Sequence, residues 1–199
     1  MWRPDTRELL MCSQTWCRAG RYTDIIARTS SDMKERILKA VNDQITAEFH
    51  SAWYYLAMSS RFEEMNLPGA ANWMRIQWQE ETAHAMKFFD HLIRRGDYPE
   101  LQALDKPEVS FSSAIEAFEQ VLKHEQHVTK LIHELYELAV EEKDYPLQPL
   151  LHWFIDEQVE EEEAAEAIID SLRLAGDSGQ GLLMIDRELG ARSYAPEAG

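Results

Sequence analysis

Three features are scarce in this sequence, and each scarcity argues against a class of protein. Only two cysteines occur, Cys12 and Cys17, too few for a disulfide framework or a four-cysteine metal site, so a reducing cytoplasm is expected. No run approaches the roughly 18 apolar residues of a membrane span, and residues 1–31 lack the apolar stretch of a secretory signal. Basic residues number 20 against 36 acidic ones, and the net charge of −16 disfavours nucleic acid and anionic membranes as partners. This charge leaves two interpretations open, a protein that binds metal cations or one with a solvated acidic surface.

The sequence also lacks a convincing strand, and helical periodicity fills most of it instead. Two capping boxes mark helix starts, one formed by Asp32 with Glu35 and the other by Ser113 with Glu116. Turns that contain proline or glycine separate the periodic segments. The pattern predicts four long helices and a short fifth one, over about residues 33–64, 70–95, 114–142, 147–174 and 182–189.

The connections predict how these helices are arranged. Short turns join the first helix to the second and the third to the fourth, so each pair should be antiparallel. About 17 residues link the second helix to the third, and an extended chain of that length reaches about 55 Å, more than the roughly 42 Å of a 28-residue helix. We therefore predict an all-α four-helix bundle with one long crossover. The crossover should pack on the bundle rather than form a disordered linker, because it carries apolar Leu101, Leu104, Val109 and Phe111.

Each long helix carries an apolar stripe at spacings of three and four residues, and a glutamate interrupts each stripe near its middle. These glutamates are Glu48, Glu81, Glu125 and Glu161, and His84 follows Glu81 by one turn on the same face. In chain order, the other stripe positions are Val41, Ile45, Ala52 and Tyr55; Met74, Trp78, Ala85, Phe88 and Leu92; Phe118, Val121, Val128, Ile132 and Leu135; and Leu151, Phe154, Gln158, Ala165, Ile168 and Leu172.

A single inward glutamate is most simply a misjudged helix phase or a residue at the rim of the core. Four at similar heights need another explanation, because an unpaired buried carboxylate costs several kcal/mol. No Lys or Arg occupies a stripe position. We therefore predict that metal supplies the opposing charge, and two divalent ions suit four carboxylates better than one. Carboxylates with one imidazole favour iron or manganese over structural zinc.

From about residue 33 to residue 192 the chain resembles the bacterial-type non-haem ferritins, which are ferritin-like di-iron carboxylate proteins. The resemblance rests on AEFHSAWYYLAM, QEETAHAMKF, KHEQ and WFIDEQVEEE in the four helices, and on SLRLAGDSGQGLLMIDREL leading into the fifth. It implies a ferritin-like bundle with a long crossover and a short C-terminal helix. It also implies an iron-storage protein with ferroxidase activity, which oxidises Fe(II) to Fe(III) with O₂ or H₂O₂. The product would be stored as mineral in a hollow homo-oligomeric cage of 24 subunits.

The resemblance also implies a role for individual residues at a di-iron centre within each subunit. Glu48, Glu81 and His84 would hold the first iron, with Glu81 bridging to the second. Glu125 and Glu161 would hold the second iron. Gln158 would form hydrogen bonds beside the pair. Tyr55 matches the tyrosine next to the centre and Trp153 a nearby tryptophan of the fourth helix; both also fit core aromatics, and Trp153 fits that role better.

A third iron site is implied beside the first two. Glu80, Glu157 and Glu160 match its ligands, with Glu161 shared between this site and the di-iron centre. Residues 157, 160 and 161 lie on one helical face, which agrees with this assignment. The neighbouring Glu162, Glu163 and Glu166 are better explained as a solvated acidic face.

Two departures distinguish the chain from related di-iron families. The fourth helix lacks a second Glu-x-x-His, because Glu160 and Ala164 stand where its histidine would be. Thr82 occupies the position of the haem-binding methionine of bacterioferritin, so no haem is expected. Two alternatives remain open, a di-iron oxidase or oxygenase that acts on an organic substrate and a metal-free helical interaction bundle.

The sequence divides into a short N-terminal extension, a main body and a tail. Residues 1–31 hold five arginines against three acidic residues and show no sustained helical period, so we expect a poorly ordered extension. Residues 32–192 form the bundle and its fifth helix, and residues 193–199 form the tail.

We predict that residues 1–31 are dispensable, because the capping signal at Asp32 lets the first helix begin without upstream residues and Met33 is itself a plausible start. A shortened chain that begins at Met33 should assemble and oxidise iron as the full chain does, measured by gel filtration and by absorbance after Fe(II) addition. The competing hypothesis is an address or docking arm that uses Cys12 and Cys17 or the apolar segment ELLM. Failure of the shortened chain to assemble would make the segment structural and the prediction wrong.

Overall fold

A computed structural model describes residues 35–195 of the protein. This part of the chain contains five helices and no strand, as predicted. They are α1 (Glu35–Glu64), α2 (Pro68–Arg94), α3 (Ala114–Glu141), α4 (Gln148–Ala175) and α5 (Gly179–Leu189). None of the five is both long and apolar enough to cross a bilayer. The expected extension, the cap at Asp32, the start at Met33 and both cysteines lie outside the described residues.

The helices pack in the predicted pairs. α1 lies along α2 and α3 lies along α4, and in each pair a short turn forces the two helices to run antiparallel. α5 contacts α2 and α4. Three of the long helices end in the same way, with a left-handed residue after the last turn: Asn66 after α1 and Lys143 after α3, each at φ 58°, and Gly96 after α2 at φ 82°. In each case the backbone N–H of the next residue donates to the carbonyl oxygen of the residue five positions before it, as Leu67 does to Phe62. This bond satisfies one of the free carbonyl groups at the helix end.

The predicted cap of α3 is present in a modified form. Ser113 accepts a hydrogen bond from the backbone N–H of Glu116 at 3.3 Å. The Glu116 carboxylate, however, accepts from the backbone N–H and hydroxyl of Ser112, both at 2.8 Å, rather than from Ser113. The helix start is therefore fixed by two serines and one glutamate.

The crossover between α2 and α3 packs less than its apolar residues predicted. Phe111 is buried, and its ring centroid lies 4.9 Å from that of Phe62. Leu101 is 64% exposed and Leu104 37% exposed, so the prediction was wrong for these two residues in the single chain. Polar contacts hold this part of the crossover instead, since the backbone N–H of Glu100 donates to the Asn42 side chain at 2.7 Å.

The polar interruptions of the stripes divide the core into two apolar halves. One half surrounds Phe62, Trp73 and Phe118, and the other surrounds Ile45, Phe88 and Phe154. Along every long helix, the interrupting glutamate lies between residues of the two halves. The predicted stripe positions are buried except Trp78 in α2 and Ile168 near the end of α4, which are only partly buried; next to Ile168, Ile169 is buried instead.

α5 is held against the start of α2 by a close backbone contact. The Asp186 side chain accepts a hydrogen bond from the backbone N–H of Ala70 at 2.9 Å. A β-carbon added at Gly69 would lie 1.6 Å from the backbone oxygen of Asp186. Only glycine at this position therefore lets α5 approach α2 so closely.

We predict that Gly69→Ala weakens the docking of α5, because the Asp186 backbone cannot move aside as a flexible side chain could. The expected loss of unfolding free energy is roughly 1–3 kcal/mol, measured as a lower denaturation midpoint. Gly179→Ala is the matched control, because a β-carbon there meets no atom within 4 Å. Equal midpoints for the two variants would contradict the role given to the contact.

Candidate metal centre

The polar layer between the two core halves begins with three buried side chains. Glu48 from α1 and Glu81 and His84 from α2 each offer one ligand atom, and these atoms all lie within 4.8 Å of one another. Glu81 and His84 point the same way because they are three residues apart on one helix, and Glu81 Oε2 lies 3.7 Å from His84 Nδ1. Glu48 Oε2 and Glu81 Oε2 are buried and have no hydrogen-bond partner among residues 35–195. The three side chains could hold a metal ion.

α3 and α4 contribute two further buried carboxylates to this layer, Glu125 and Glu161. The Tyr55 hydroxyl donates to Glu125. The Gln158 amide donates to Glu125 Oε2 at 3.3 Å and to the Glu125 backbone oxygen at 3.2 Å. The Gln77 amide donates to Glu161 Oε2 at 2.7 Å. Neutral donors therefore orient both carboxylates without supplying the positive charge that would balance them.

Burial raises the pKa of all four glutamates, and repulsion from neighbouring carboxylates adds to the shift. Burial raises the pKa of Glu48 and of Glu81 well above the usual range, and the charge of Glu81 adds to the effect on Glu48. Burial and then the charge of Glu125 raise the pKa of Glu161 to about 8. Burial also raises the pKa of Glu125, although the hydrogen bonds from Tyr55 and Gln158 oppose this shift. Without a metal, the cluster is therefore expected to hold protons near neutral pH.

The donor set fits a hard or borderline cation. Four carboxylates and one imidazole suit iron or manganese, whereas structural zinc sites are dominated by cysteine and histidine. The two buried oxygens without partners are the kind of atom that a metal would satisfy, because an unpaired buried polar group is otherwise costly.

The residues predicted for a third site lie on the α2–α4 side of this layer. Glu157 Oε1 is 4.0 Å from His84 Nε2. Glu80 is partly buried and pairs with Arg192, and Glu160 is exposed. Trp153 is partly buried, with its ring edge-on to His84 at a centroid distance of 5.4 Å.

Within residues 35–195, three side chains that donate hydrogen bonds to the predicted carboxylates or to one another beside them were not predicted from the sequence. Gln44 donates to Glu48 Oε1 at 2.8 Å, Gln77 donates to Glu161, and Arg192 donates to both Gln77 and Glu80. Gln44 and Gln77 each stand four residues before an interrupting glutamate, which places them on the same helical face. That spacing was a usable signal for both glutamines. Arg192 follows α5 in an irregular segment, and no helical period could have located it.

A four-helix bundle with a buried layer of carboxylates and a histidine is typical of one class of metal-binding protein. Comparison with known proteins identifies the family to which this chain belongs. Residues 38–175 match the family model Ferritin, described as a ferritin-like domain. The chain therefore belongs to the ferritin family.

Similar proteins cover most of the chain. The bacterial non-heme ferritin of Bacteroides fragilis is 41% identical over 160 residues, which are 80% of this chain and 99% of the relative. That of Staphylococcus aureus is 37% identical over 165 residues, 83% of this chain and 99% of the relative.

Solved structures of ferritin from Archaeoglobus fulgidus share the fold. A form engineered to be closed has a TM-score of 0.81 at 46% identity and covers 82% of this chain and 100% of its own. The open-pore form has a TM-score of 0.79 at 46% identity and covers 81% of this chain and 98% of its own.

We predict that the metal-free protein loses stability as pH rises from about 4.5 to about 8. In this range the unfolded chain releases the Glu161 proton while the folded chain keeps it, so each pH unit costs up to about 1.4 kcal/mol per retained proton. Glu161→Gln cannot titrate and keeps an acceptor for Gln77, so its denaturation midpoint should fall less steeply with pH. Glu163→Gln, at an exposed position of the same helix, is the matched control. Parallel pH profiles for wild type and Glu161→Gln would contradict the assignment.

Proposed function

We propose that this protein stores iron and is a ferroxidase, oxidising Fe(II) to Fe(III) with O₂ or H₂O₂ at a di-iron centre within each subunit. One observation supports this more than any other: beside His84, Glu48 and Glu81 each present a buried carboxylate oxygen that has no hydrogen-bond partner among residues 35–195. Membership of the ferritin family and the non-heme ferritin names of its relatives agree with it. In this proposal iron is both substrate and cargo.

The ligand set explains why oxidation is favoured. Glu48, Glu81 and His84 bind the first iron, Glu125 and Glu161 bind the second, and Glu81 bridges the two. Anionic oxygens stabilise Fe(III) more than Fe(II), so the site favours oxidation of the bound ions. Two Fe(II) ions give one electron each, and O₂ with two protons becomes H₂O₂; if H₂O₂ is the oxidant, two electrons and two protons give two water molecules.

Neighbouring side chains keep the ligands ready for this exchange. Gln44 holds one oxygen of Glu48 and leaves the other without a partner. Tyr55 and Gln158 orient Glu125 by donating to one carboxylate oxygen each. Because the pKa values of Glu48, Glu81 and Glu161 are raised by burial, the carboxyl groups hold protons before iron arrives and release them when it binds. Binding of iron and loss of protons are therefore coupled.

We further propose that Glu80, Glu157 and Glu160 form a third iron site that shares Glu161. The 4.0 Å approach of Glu157 to the ligand His84 supports this position, because an iron bound there would adjoin the first two. Acidic side chains beside the centre would attract Fe(II) and receive iron that leaves it.

Assembly into a hollow cage of 24 subunits, located in the cytoplasm and without haem, completes the proposal. Large apolar side chains remain exposed on the single chain, as expected for a subunit whose surface is covered by neighbours. They include Trp53 at 47%, Leu101 at 64%, Tyr98 at 85%, Leu174 at 91% and Met184 at 65% exposure. Thr82 offers no sulfur ligand for haem.

The cavity beside the centre disfavours an oxidase that acts on an organic substrate. It measures about 130 Å³, and Glu80, Lys87, Glu157 and His84 contribute to its lining. Substrate pockets are usually several times larger and mostly apolar. The observed cavity suits small ions better.

We predict that the double variant Glu81→Ala/His84→Ala loses rapid Fe(II) oxidation by about 100-fold or more, because the first iron keeps one of three ligands. The protein should remain helical, since its apolar core is unchanged. Stopped-flow absorbance after Fe(II) addition in air measures the rate, and circular dichroism checks the fold. Glu163→Gln serves as control at an exposed acidic position. Oxidation by the double variant at the wild-type rate would show that the site is wrong.

A further inference from the structure

Arg192 is a positive charge that the segment after α5 brings to the edge of the carboxylate layer. One guanidinium nitrogen, Nη2, donates to Glu80 Oε2 at 2.8 Å, and the other, Nη1, donates to the side-chain oxygen of Gln77. The guanidinium carbon lies 5.0 Å from the centre of the Trp73 ring, within cation–π range. The Asn72 amide donates to the Arg192 backbone oxygen at 3.0 Å and thereby holds the segment against α2.

The contact with Gln77 extends the influence of Arg192 to a metal ligand. Since the amide oxygen of Gln77 accepts from Arg192, its NH₂ group must face the other way, where it donates to Glu161 Oε2 at 2.7 Å. One guanidinium thus engages Glu80 directly and Glu161 through a single amide. These are two of the four carboxylates assigned to the third iron site.

The same segment forms a wall of the space where a third ion would bind. Tyr194 and Ala195 line the 130 Å³ cavity together with Glu80, His84 and Glu157. The side chain of Arg192 is 30% exposed and that of Glu80 is 24% exposed, so solvent reaches the ion pair. Arg192 can therefore leave Glu80 without stranding a buried charge.

We propose that Arg192 is a displaceable internal cation that competes with the third iron for Glu80 and, through Gln77, for Glu161. The inference rests on the proposed function, because it assumes that Glu80, Glu157, Glu160 and Glu161 receive iron. With Arg192 in place, the carboxylates of the third site are partly neutralised when no ion is bound. Arrival of the third Fe(II) requires Arg192 to move towards solvent, which weakens retention there and favours onward transfer of iron. Arg192 is thus a positioning residue for the third site and binds no iron itself.

Anaerobic isothermal titration with Fe(II) tests this without turnover, and the variant is Arg192→Gln. Removing the competing charge should raise the affinity for the third Fe(II) by about tenfold. This is the effect expected when iron no longer has to displace one partly exposed, charge-assisted hydrogen bond. Affinities for the first two ions should stay within about threefold of wild type, because Arg192 reaches Glu161, a ligand of the second ion, only through the neutral Gln77 amide. Arg192→Lys keeps the charge and should restore the wild-type third affinity. In a Glu80→Gln/Glu157→Gln/Glu160→Gln background, Arg192→Gln should change the affinities for the two remaining ions by no more than about threefold, because the third site is absent and Arg192 reaches Glu161 only through Gln77.

Two controls separate charge competition from anchoring of the segment. Asn72→Ala removes the bond to the Arg192 backbone and leaves the guanidinium, so the third affinity should not change. Arg173→Gln removes an exposed arginine that pairs with Glu119 at 3.1 Å and matches the change in net charge. An affinity for the third Fe(II) that is unchanged or lower in Arg192→Gln would overturn the proposal. A tenfold higher affinity in Asn72→Ala would overturn it as well. A wild type that binds two ions but no third would overturn this proposal and the proposed third site but leave the di-iron ferroxidase standing, whereas a wild type that binds none would overturn the whole proposed function.

Discussion

The structure depends on one constraint, the burial of four carboxylates in a single layer of the core. Glu48, Glu81, Glu125 and Glu161 come from four different helices, and no cationic side chain hydrogen-bonds to any of them among the described residues. Carboxylates in such a place must either hold protons or bind metal, because bare charges would cost more than a domain's stability margin. The raised pKa values describe the first state, and the unpartnered oxygens of Glu48 and Glu81 anticipate the second. Protons and metal ions are thus alternative occupants of one site.

The rest of the fold keeps this layer intact. Apolar core on both sides locks the four helices in register, so each glutamate arrives at the same height. Amide donors, Gln44, Gln77 and Gln158, orient carboxylates without neutralising them. α5 packs closely on Gly69, so the chain after α5 returns across the start of α2. This places Arg192 at the edge of the carboxylate layer. Gly69 thereby affects which charges surround the buried carboxylates.

Local sequence signals predicted most of the fold and much of the centre. Helical periodicity located the five helices, and the length of the crossover indicated its path, because both depend on short-range geometry. The same helical spacing predicted that the glutamates within the apolar stripes point into the core. Glu48, Glu81 and His84 do lie together in the structure. Contacts set by tertiary packing could not be foreseen. Arg192 reaches Glu80 from 112 residues away, and Leu101 is exposed next to Glu100, whose backbone N–H donates to Asn42 of α1. Near the end of α4, adjacent isoleucines made the phase ambiguous, and Ile169 rather than Ile168 is buried.

The most direct test of the central claim is anomalous diffraction at the iron edge from crystals soaked anaerobically with Fe(II). It locates the metal independently of any rate. The account predicts two strong peaks in each subunit, one bounded by Glu48, Glu81 and His84 and the other by Glu81, Glu125 and Glu161. Iron found only on exposed acidic residues, with the buried layer unoccupied, would contradict it.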